Sequence, residues 1–470
     1  MESTLQLNQF RAEDYERYRK LGEKHLIQPN LTRTAAYNPK TFKLFVKEDG
    51  CRVTDIKGKT YLDAFGSLMY KNIGYGRKDV IDAIYRQLQM LSSCVGTSPN
   101  IPQIELASKL AAITPGDLSV VFYGNNGGDA VETSVKIARH YQRLCGFANR
   151  YKVICRRREY HGTNLGTMAL GRPLKPNYST MVDDFQIYGP FMPGVIHVTP
   201  PHCYRCEYDL TYPDCKVKCA RDIESVLLSE GPESVAAFLA TPISANSLCD
   251  VPPAEYWPIV RRICDKYGIV LIVDCVVTGF GRTGKMFGIE HFGINPDIMA
   301  VAKGMNSGYL PLSASIISSR IADAFEPNNT FSHDYTFGGH PASCAAALEN
   351  IDIIEREKLV EHSSKVGKYL LKKLENLKEH PIVGDVRGIG LFCAVEYVRD
   401  KRTKEPFDDE LTRRMNRRLL DLGLISRTRN SSTSLLPPLI FTRSDADEAV
   451  NIIEKVITET EKEILKKRRH

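Results

Sequence analysis

The stretch "YWPIVRRICDKYGIVLIVDCVV", residues 256–277, joins a helical period to a β-branched run through a single glycine. Reading outward, the chain between about residues 100 and 320 repeats this alternation. "LSVVFYG" precedes the helical "GDAVETSVKIARHYQRL", and "RYKVICRR", "SVAAFLATP", "PDIMAVAK" and "LSASIIS" supply further short apolar runs. Strands and helices at this spacing predict an α/β fold with a mostly parallel sheet covered on both faces. In such sheets ligands bind beyond the carboxyl ends of the strands. Asp274 sits inside the central run, and Lys303 directly follows "IMAVA".

The two ends of the chain have a different texture. "FKLFVKEDGCRVTDIKGKTYLDAF", residues 42–65, predicts a strand, turn, strand meander. Residues 345–470 mix long amphipathic helices with the short strand candidates "GIGLFCAVEYV" and "SLLPPLIF". These features predict a large domain over 76–344, with a cysteine-rich insertion at 200–220. A smaller α+β domain is expected from the segments 1–75 and 345–470.

Composition bounds the function. At 470 residues and 43% hydrophobic, the chain is large enough to enclose a cleft. Lys plus Arg number 63 against 56 for Asp plus Glu, and the excess is spread out except in "KEILKKRRH", residues 462–470. That tail reads as a solvated helix end; a nucleic-acid arm would interleave basic residues with aromatics over a whole face. Most of the thirteen cysteines stand singly in apolar runs, as small core residues in a reducing compartment do. The first twenty residues are charged throughout, with no signal-peptide core, and no run approaches the ~18 apolar residues of a membrane span. The expectation is a cytoplasmic, soluble protein that binds neither nucleic acid nor membrane.

Four features carry chemistry. In "YGNNGGDAVETSVKIAR", residues 123–139, a strand ends in a polar glycine turn that opens a helix, an arrangement suited to an anion such as phosphate. Asp274 places a carboxylate in a run apolar on both faces, where it needs a cationic partner. The glycine-rich "TGFGRTG", residues 278–284, follows directly. Lys303 adds an amine where a free ammonium would be costly. An anion cradle, a buried carboxylate and an amine together match the phosphate, pyridinium nitrogen and aldehyde of pyridoxal 5'-phosphate.

Taken with "EYHGTNLGTMAL", "YTFGGHPASCAAAL", "GSLMYKNIGYGRKDVIDAI" and "GLISRTRNSSTSLLPPLIFT", these stretches resemble the class III aminotransferases, pyridoxal-phosphate enzymes of fold type I. The resemblance leans towards the ω-amino acid:pyruvate branch and spans about residues 30–460. It implies a seven-stranded, mostly parallel sheet and a homodimer. It also implies Lys303 as the Schiff-base lysine and general base, and Asp274 as the partner of the pyridinium nitrogen. Asn126, Gly127 and Gly128 would hold the phosphate. Tyr160 would stack on one ring face and Val276 would press on the other. Thr336 would complete the partner subunit's site. Met69 and Arg427 would face the substrate, Arg427 by binding a carboxylate. The implied reaction moves an amino group from a small amine or amino acid, ω-amino type, to a keto acid such as pyruvate or 2-oxoglutarate. Racemases, epimerases, decarboxylases and lyases share these anchors, and a non-catalytic binding or sensor protein is the alternative of another class.

The chain departs from the family pattern. Asn126, Gly127 and Gly128 replace a serine, glycine, serine turn, and Met69 stands where a tryptophan is often found. Thr241 and Cys275 stand where glutamates are usual, so two carboxylates are expected to be missing near the site, which suits a more anionic or bulkier substrate. In "HCYRCEYDLTYPDCKVKCA", residues 202–220, the spacing of Cys203, Cys206, Cys215 and Cys219 can close a tetrahedral zinc site. The alternative is a reduced, cysteine-rich surface insertion, and no metal is assigned to the active site.

Overall fold

The structure, a computed structural model, describes residues 11, 13–29, 31–171, 188–246 and 249–467. Near the amino end, β1 (Phe45–Asp49), β2 (Arg52–Asp55) and β3 (Thr60–Asp63) form the expected antiparallel meander. Next come helices α1 (Lys78–Met90) and α2 (Ile101–Ile113), then β4 (Leu118–Gly124), α3 (Gly127–Leu144), β5 (Lys152–Arg156) and β6 (Val195–Val198). Strands β7 (Val235–Ala240), β8 (Val270–Asp274), β9 (Ile298–Val301) and β10 (Ser313–Ser318) follow, with α4 (Tyr256–Tyr267) between β7 and β8.

These strands make a seven-stranded sheet in the order β4-β10-β9-β8-β7-β5-β6. All neighbours run parallel except β10, which is antiparallel to both β4 and β9. The fold is therefore the mostly parallel α/β sheet that the alternating pattern predicts. β7, β8 and β9 are buried at every residue, which explains why they read as unbroken apolar runs. Two core clusters cover the sheet: Phe238, Leu271, Val273 and Met299 face one layer with Trp257, while Leu239, Ile272 and Ala300 face the other with Val131 and Val135 of α3. α4 ends in left-handed Gly268, the glycine that separates the two halves of the deciding stretch.

The carboxyl-terminal part contributes α5 (Pro341–Arg356), α6 (Leu359–Glu375), β11 (Val383–Gly388), β12 (Cys393–Tyr397), α7 (Asp409–Asp421), β13 (Leu424–Ile425), β14 (Arg427–Arg429), β15 (Ser432–Leu435) and α8 (Arg443–Lys467). β13 pairs in parallel with β3, so a strand from the far end of the chain completes the amino-terminal meander. The other four form an antiparallel sheet, β11-β12-β15-β14. "SLLPPLIF" is strand only as far as Leu435, because Pro437 and Pro438 bring no N–H to a ladder.

The "TGFGRTG" loop turns out to be the joint between this sheet and the large one. The Arg282 side chain, fully buried, donates to Leu391 O at 3.1 Å, to Pro437 O and to Asn72 Oδ1 at 2.8 Å. Its own carbonyl accepts from Ser363 Oγ at 3.2 Å and from Leu391 N at 3.1 Å. Backbones close here because three glycines meet: a Cβ on Gly390 would sit 2.3 Å from Thr283 C, and one on Gly367 would sit 2.1 Å from Gly390 O. Gly367→Ala should therefore lower stability by about 1–3 kcal/mol, the ordinary cost of overpacking a core. A denaturant midpoint within error of wild type would contradict this close approach.

Candidate active site

Five strand ends open onto one place. β4 leads into the Asn125–Gly128 turn, β5 into Glu159, Tyr160 and His161, β7 into Thr241, β8 into Asp274 and β9 into Lys303. All are carboxyl ends, as the parallel topology requires.

The turn before α3 is packed without room for side chains. A Cβ on Gly127 would lie 2.8 Å from Val276 Cγ1, and one on Gly162 would lie 2.8 Å from the Cα of Gly128. Asn126 caps α3, its side chain accepting from Asp129 N at 3.2 Å, so it serves the helix as well as the turn. The start of an 18-residue helix in a glycine cradle offers free N–H groups and the positive end of the dipole to a phosphate.

Asp274 is 3% exposed, yet it is fully partnered. Oδ1 accepts from the Val276 backbone N–H at 2.9 Å, and Oδ2 lies 2.7 Å from His161 Nδ1. The other imidazole nitrogen, Nε2, lies 3.3 Å from Glu159 Oε2 without hydrogen-bond alignment. Burial disfavours the imidazolium, but the two flanking carboxylates outweigh it and raise the His161 pKa to about 9.

Lys303 adopts a left-handed φ of 49° two residues beyond the last residue of β9. Burial dominates its environment and lowers its pKa to about 8, against the opposing pull of Asp274 and with help from Arg427 and Arg282. Tyr160 lies between the two electrostatic poles: burial raises its pKa, Arg427 and Arg429 draw it down, and Asp274 pushes it up. Tyr160 is 41% exposed, a large exposure for an aromatic residue beside a buried carboxylate.

Opposite stand two guanidiniums. Arg427 lies 5.9 Å over the Phe65 ring, beside the partly buried Met69. Arg429 donates to Asn246 Oδ1 at 2.6 Å, and its Nε has no partner. Burial depresses both, that of Arg429 to about 9, and among the described residues no carboxylate pairs with either.

The structure thus gathers Asn126, Gly127, Gly128, Tyr160, Asp274, Val276, Lys303, Met69 and Arg427, while Thr336 stands exposed on the single chain. It corrects the reading of the two missing carboxylates. Thr241 is buried, and its N–H and hydroxyl donate to Glu159 at 3.2 and 2.7 Å, so a carboxylate does occupy this place, supplied by β5's loop. Cys275 is fully buried in the core cluster that holds Val273, so it bears on packing and does not line the substrate side. Of the expected substrate loop 241–250, residues 247 and 248 lie outside the described residues. Glu159, His161 and Arg429 were the residues whose part was not read from sequence; the only signal was the polar run "REYHG" beside an apolar strand. Cys203, Cys206, Cys215 and Cys219 line one small pocket with His202. Burial pushes the Cys203 thiol up to about 11 and the Cys219 thiol to about 12. Among the described residues no group of three or more His, Cys, Asp or Glu side chains is placed to hold a metal ion.

The class that this sheet and site define is also the one found by comparison. The "Aminotransferase class-III" family matches residues 34–457, and the chain belongs to it. Among its relatives, taurine–pyruvate aminotransferase of Bilophila wadsworthia is 38% identical over 93% of this chain and 96% of its own. Putrescine–pyruvate aminotransferase of Pseudomonas aeruginosa is 34% identical over 95% and 96%. The solved ω-transaminase of Pseudomonas jessenii in complex with PMP superimposes with a TM-score of 0.87 at 33% identity, covering 94% of this chain and 97% of that one. The protein is thus a fold-type-I aminotransferase that uses pyridoxal phosphate and acts on small amines and keto acids. The glycine cradle, the doubly partnered Asp274 and the unpaired Lys303 amine fit that cofactor's phosphate, ring nitrogen and aldehyde.

Because the Lys303 amine is depressed from 10.5 to about 8, it should be half uncharged near pH 8 in the cofactor-free protein and largely free above it. Acylation of Lys303, followed by peptide mass spectrometry across pH 6–11, should show a midpoint near 8; a midpoint near 10.5 would contradict its desolvated setting.

Proposed function

We propose that the protein is an ω-aminotransferase whose Lys303 carries the cofactor and moves the proton, and whose donor bears an anionic group at the end remote from its amine. The observation that carries this reading is the desolvated amine of Lys303, for which no hydrogen bond or ion pair is found among the described residues and which feels the charges of both Asp274 and Arg427. When bound, pyridoxal phosphate supplies a ring that takes up the electron pair released at the substrate carbon. The protein does the rest. The amides of Gly127 and Gly128 hold the phosphate, and Tyr160 and Val276 confine the ring from its two faces. Asp274, with one oxygen on the Val276 N–H and the other on His161, keeps lone pairs for the ring nitrogen. Lys303 Nζ, whose pKa burial lowers to about 8, is the group that would take the proton from the substrate carbon.

Arg427 and Arg429 set the substrate. Two half-buried guanidiniums without a carboxylate of their own favour a carboxylate or sulfonate and repel a second ammonium. The named activity of the Bilophila relative, on taurine with pyruvate, is of the favoured kind, and that of the Pseudomonas relative on putrescine is of the disfavoured kind. A keto acid acceptor such as pyruvate or 2-oxoglutarate would place its carboxylate on the same pair. Arg429→Ala should raise KM for an anionic ω-amino donor ~10-fold or more, the loss of one charge-assisted hydrogen bond, and leave KM for an uncharged primary amine within twofold. Equal effects on both donors would sink the assignment of Arg429.

The working unit proposed is a homodimer in a reducing, cytoplasmic setting. Supporting this are exposed apolar side chains at Met90, Ile101 and Phe337, the last next to Thr336, and thirteen free cysteines. Sedimentation should give twice the 52.8 kDa chain mass; a monomer at micromolar concentration would remove Thr336 from the site.

A further inference from the structure

Behind Asp274 the structure holds a row of alternating charges that the reaction does not itself touch. Arg156, Glu159, His161 and Asp274 are each no more than 3% exposed. The Arg156 guanidinium donates to Glu159 Oε1, through Nε at 3.0 Å and through Nη2, and also to the Thr241 carbonyl. Glu159 receives in addition the Thr241 N–H and hydroxyl, so its carboxylate is fixed from three directions. Its other face meets His161 Nε2 at 3.3 Å, and His161 Nδ1 meets Asp274 at 2.7 Å. The Arg156 guanidinium is closed off behind by the rings of Tyr256 and Trp257, at 5.4 and 5.6 Å, so the row has only one open end. That end is Asp274.

We propose that Glu159 is the positioning residue of this site: by holding a negative charge against Nε2 it makes His161 a fixed, cationic donor to Asp274, and so fixes the carboxylate oxygen that the cofactor's ring nitrogen meets. The inference rests on the reading of Asp274 as that nitrogen's partner. A neutral imidazole can donate to Asp274 only as the Nδ1–H tautomer, which leaves a lone pair on Nε2 against Glu159, whereas an imidazolium carries a proton on both nitrogens and is attracted to both carboxylates. The electrostatics agree. Burial opposes ionisation of Glu159, yet Arg156 and then His161 overcome it and hold its carboxyl down at about 2. The groups facing His161 are Glu159 from its own loop and Asp274 from β8. Position 241 offers an internal control. Its Oγ1 lies 2.7 Å from Glu159 Oε1, so a carboxylate grown from that residue reaches the space that Glu159 would vacate.

The test uses full-length apoprotein with histidine ring nitrogens isotopically labelled, and a titration with pyridoxal phosphate. In wild type the His161 imidazole should remain protonated to near pH 9. Glu159→Gln should lower that midpoint by more than one pH unit and weaken cofactor binding ~10-fold, the usual scale for removing a supporting residue behind a site. The double variant Glu159→Ala, Thr241→Glu should restore both quantities to within threefold of wild type. If Glu159→Gln changes only the melting temperature, leaving midpoint and affinity within twofold, the proposal is overturned. Should Glu159→Gln fail to fold, the double variant alone decides, and a His161 midpoint below pH 7 in it counts against the proposal. Asp274→Asn separates the two levels of the argument: unchanged cofactor affinity there defeats the reading of Asp274, whereas weakened affinity there with none in Glu159→Gln defeats the role of Glu159 alone.

Discussion

A carboxylate at the end of a central parallel strand cannot be left bare, because the low-dielectric interior charges several kcal/mol for an unpaired ion. Asp274 meets that constraint through one backbone N–H and one imidazole. The imidazole in turn lies 3.3 Å from Glu159, Glu159 is paired with Arg156, and Arg156 is seated against Tyr256 and Trp257 at the start of α4. The helix that leads into β8 thus anchors the far end of the charge row whose near end is β8's last residue. The buried carboxylate of Asp274 is stabilised by the fold around it, over four side chains and three strand ends.

The second constraint lies at the joint. The loop after Asp274 carries Arg282, which ties the large sheet to the carboxyl-terminal sheet through carbonyls of Leu391 and Pro437 and to the amino-terminal part through Asn72. Burial lowers the Arg282 pKa to about 9, with only Asp63 opposing, so this cation is held mainly by backbone carbonyls. Because the joint begins two residues after Val276, the pieces that carry Arg427, Arg429 and Met69 are held against the strand end that carries Asp274 by a close, glycine-packed contact. The groups proposed to hold the cofactor, from one sheet, and those proposed to meet the substrate, from the others, can then share a single small space.

Much of the site was legible because it is built from strand ends. Asp274 inside "IVLIVDCVV" and Lys303 after "IMAVA" stand out, since a charge bordering a fully buried run demands an explanation. The glycine turn before α3 was legible for a similar reason: its packing against Val276 and Gly162 admits no side chain. Glu159 went unread, and the place of Thr241 was misread, for the opposite reason. They are 82 residues apart, and a sequence shows that a glutamate is absent at 241 without showing that another reaches the same point from β5. Cys275 was misread because one residue beyond a strand's end decides which layer a side chain joins, and it joins the core.

What the sequence by itself determined was the α/β alternation, the carboxyl edge on which chemistry would lie, and the residues able to hold an aldehyde, a ring nitrogen and a phosphate. These follow from local rules: burial period, glycine at close approach, and the cost of charge beside apolar runs. Only the tertiary structure decided which charges neutralise one another. It paired Glu159 with Arg156, set it beside His161, assigned "TGFGRTG" to a joint between sheets, and left Arg427 and Arg429 without a carboxylate among the described residues. Charge pairing depends on distances of 3–4 Å between residues far apart in the chain, and no local pattern encodes those distances.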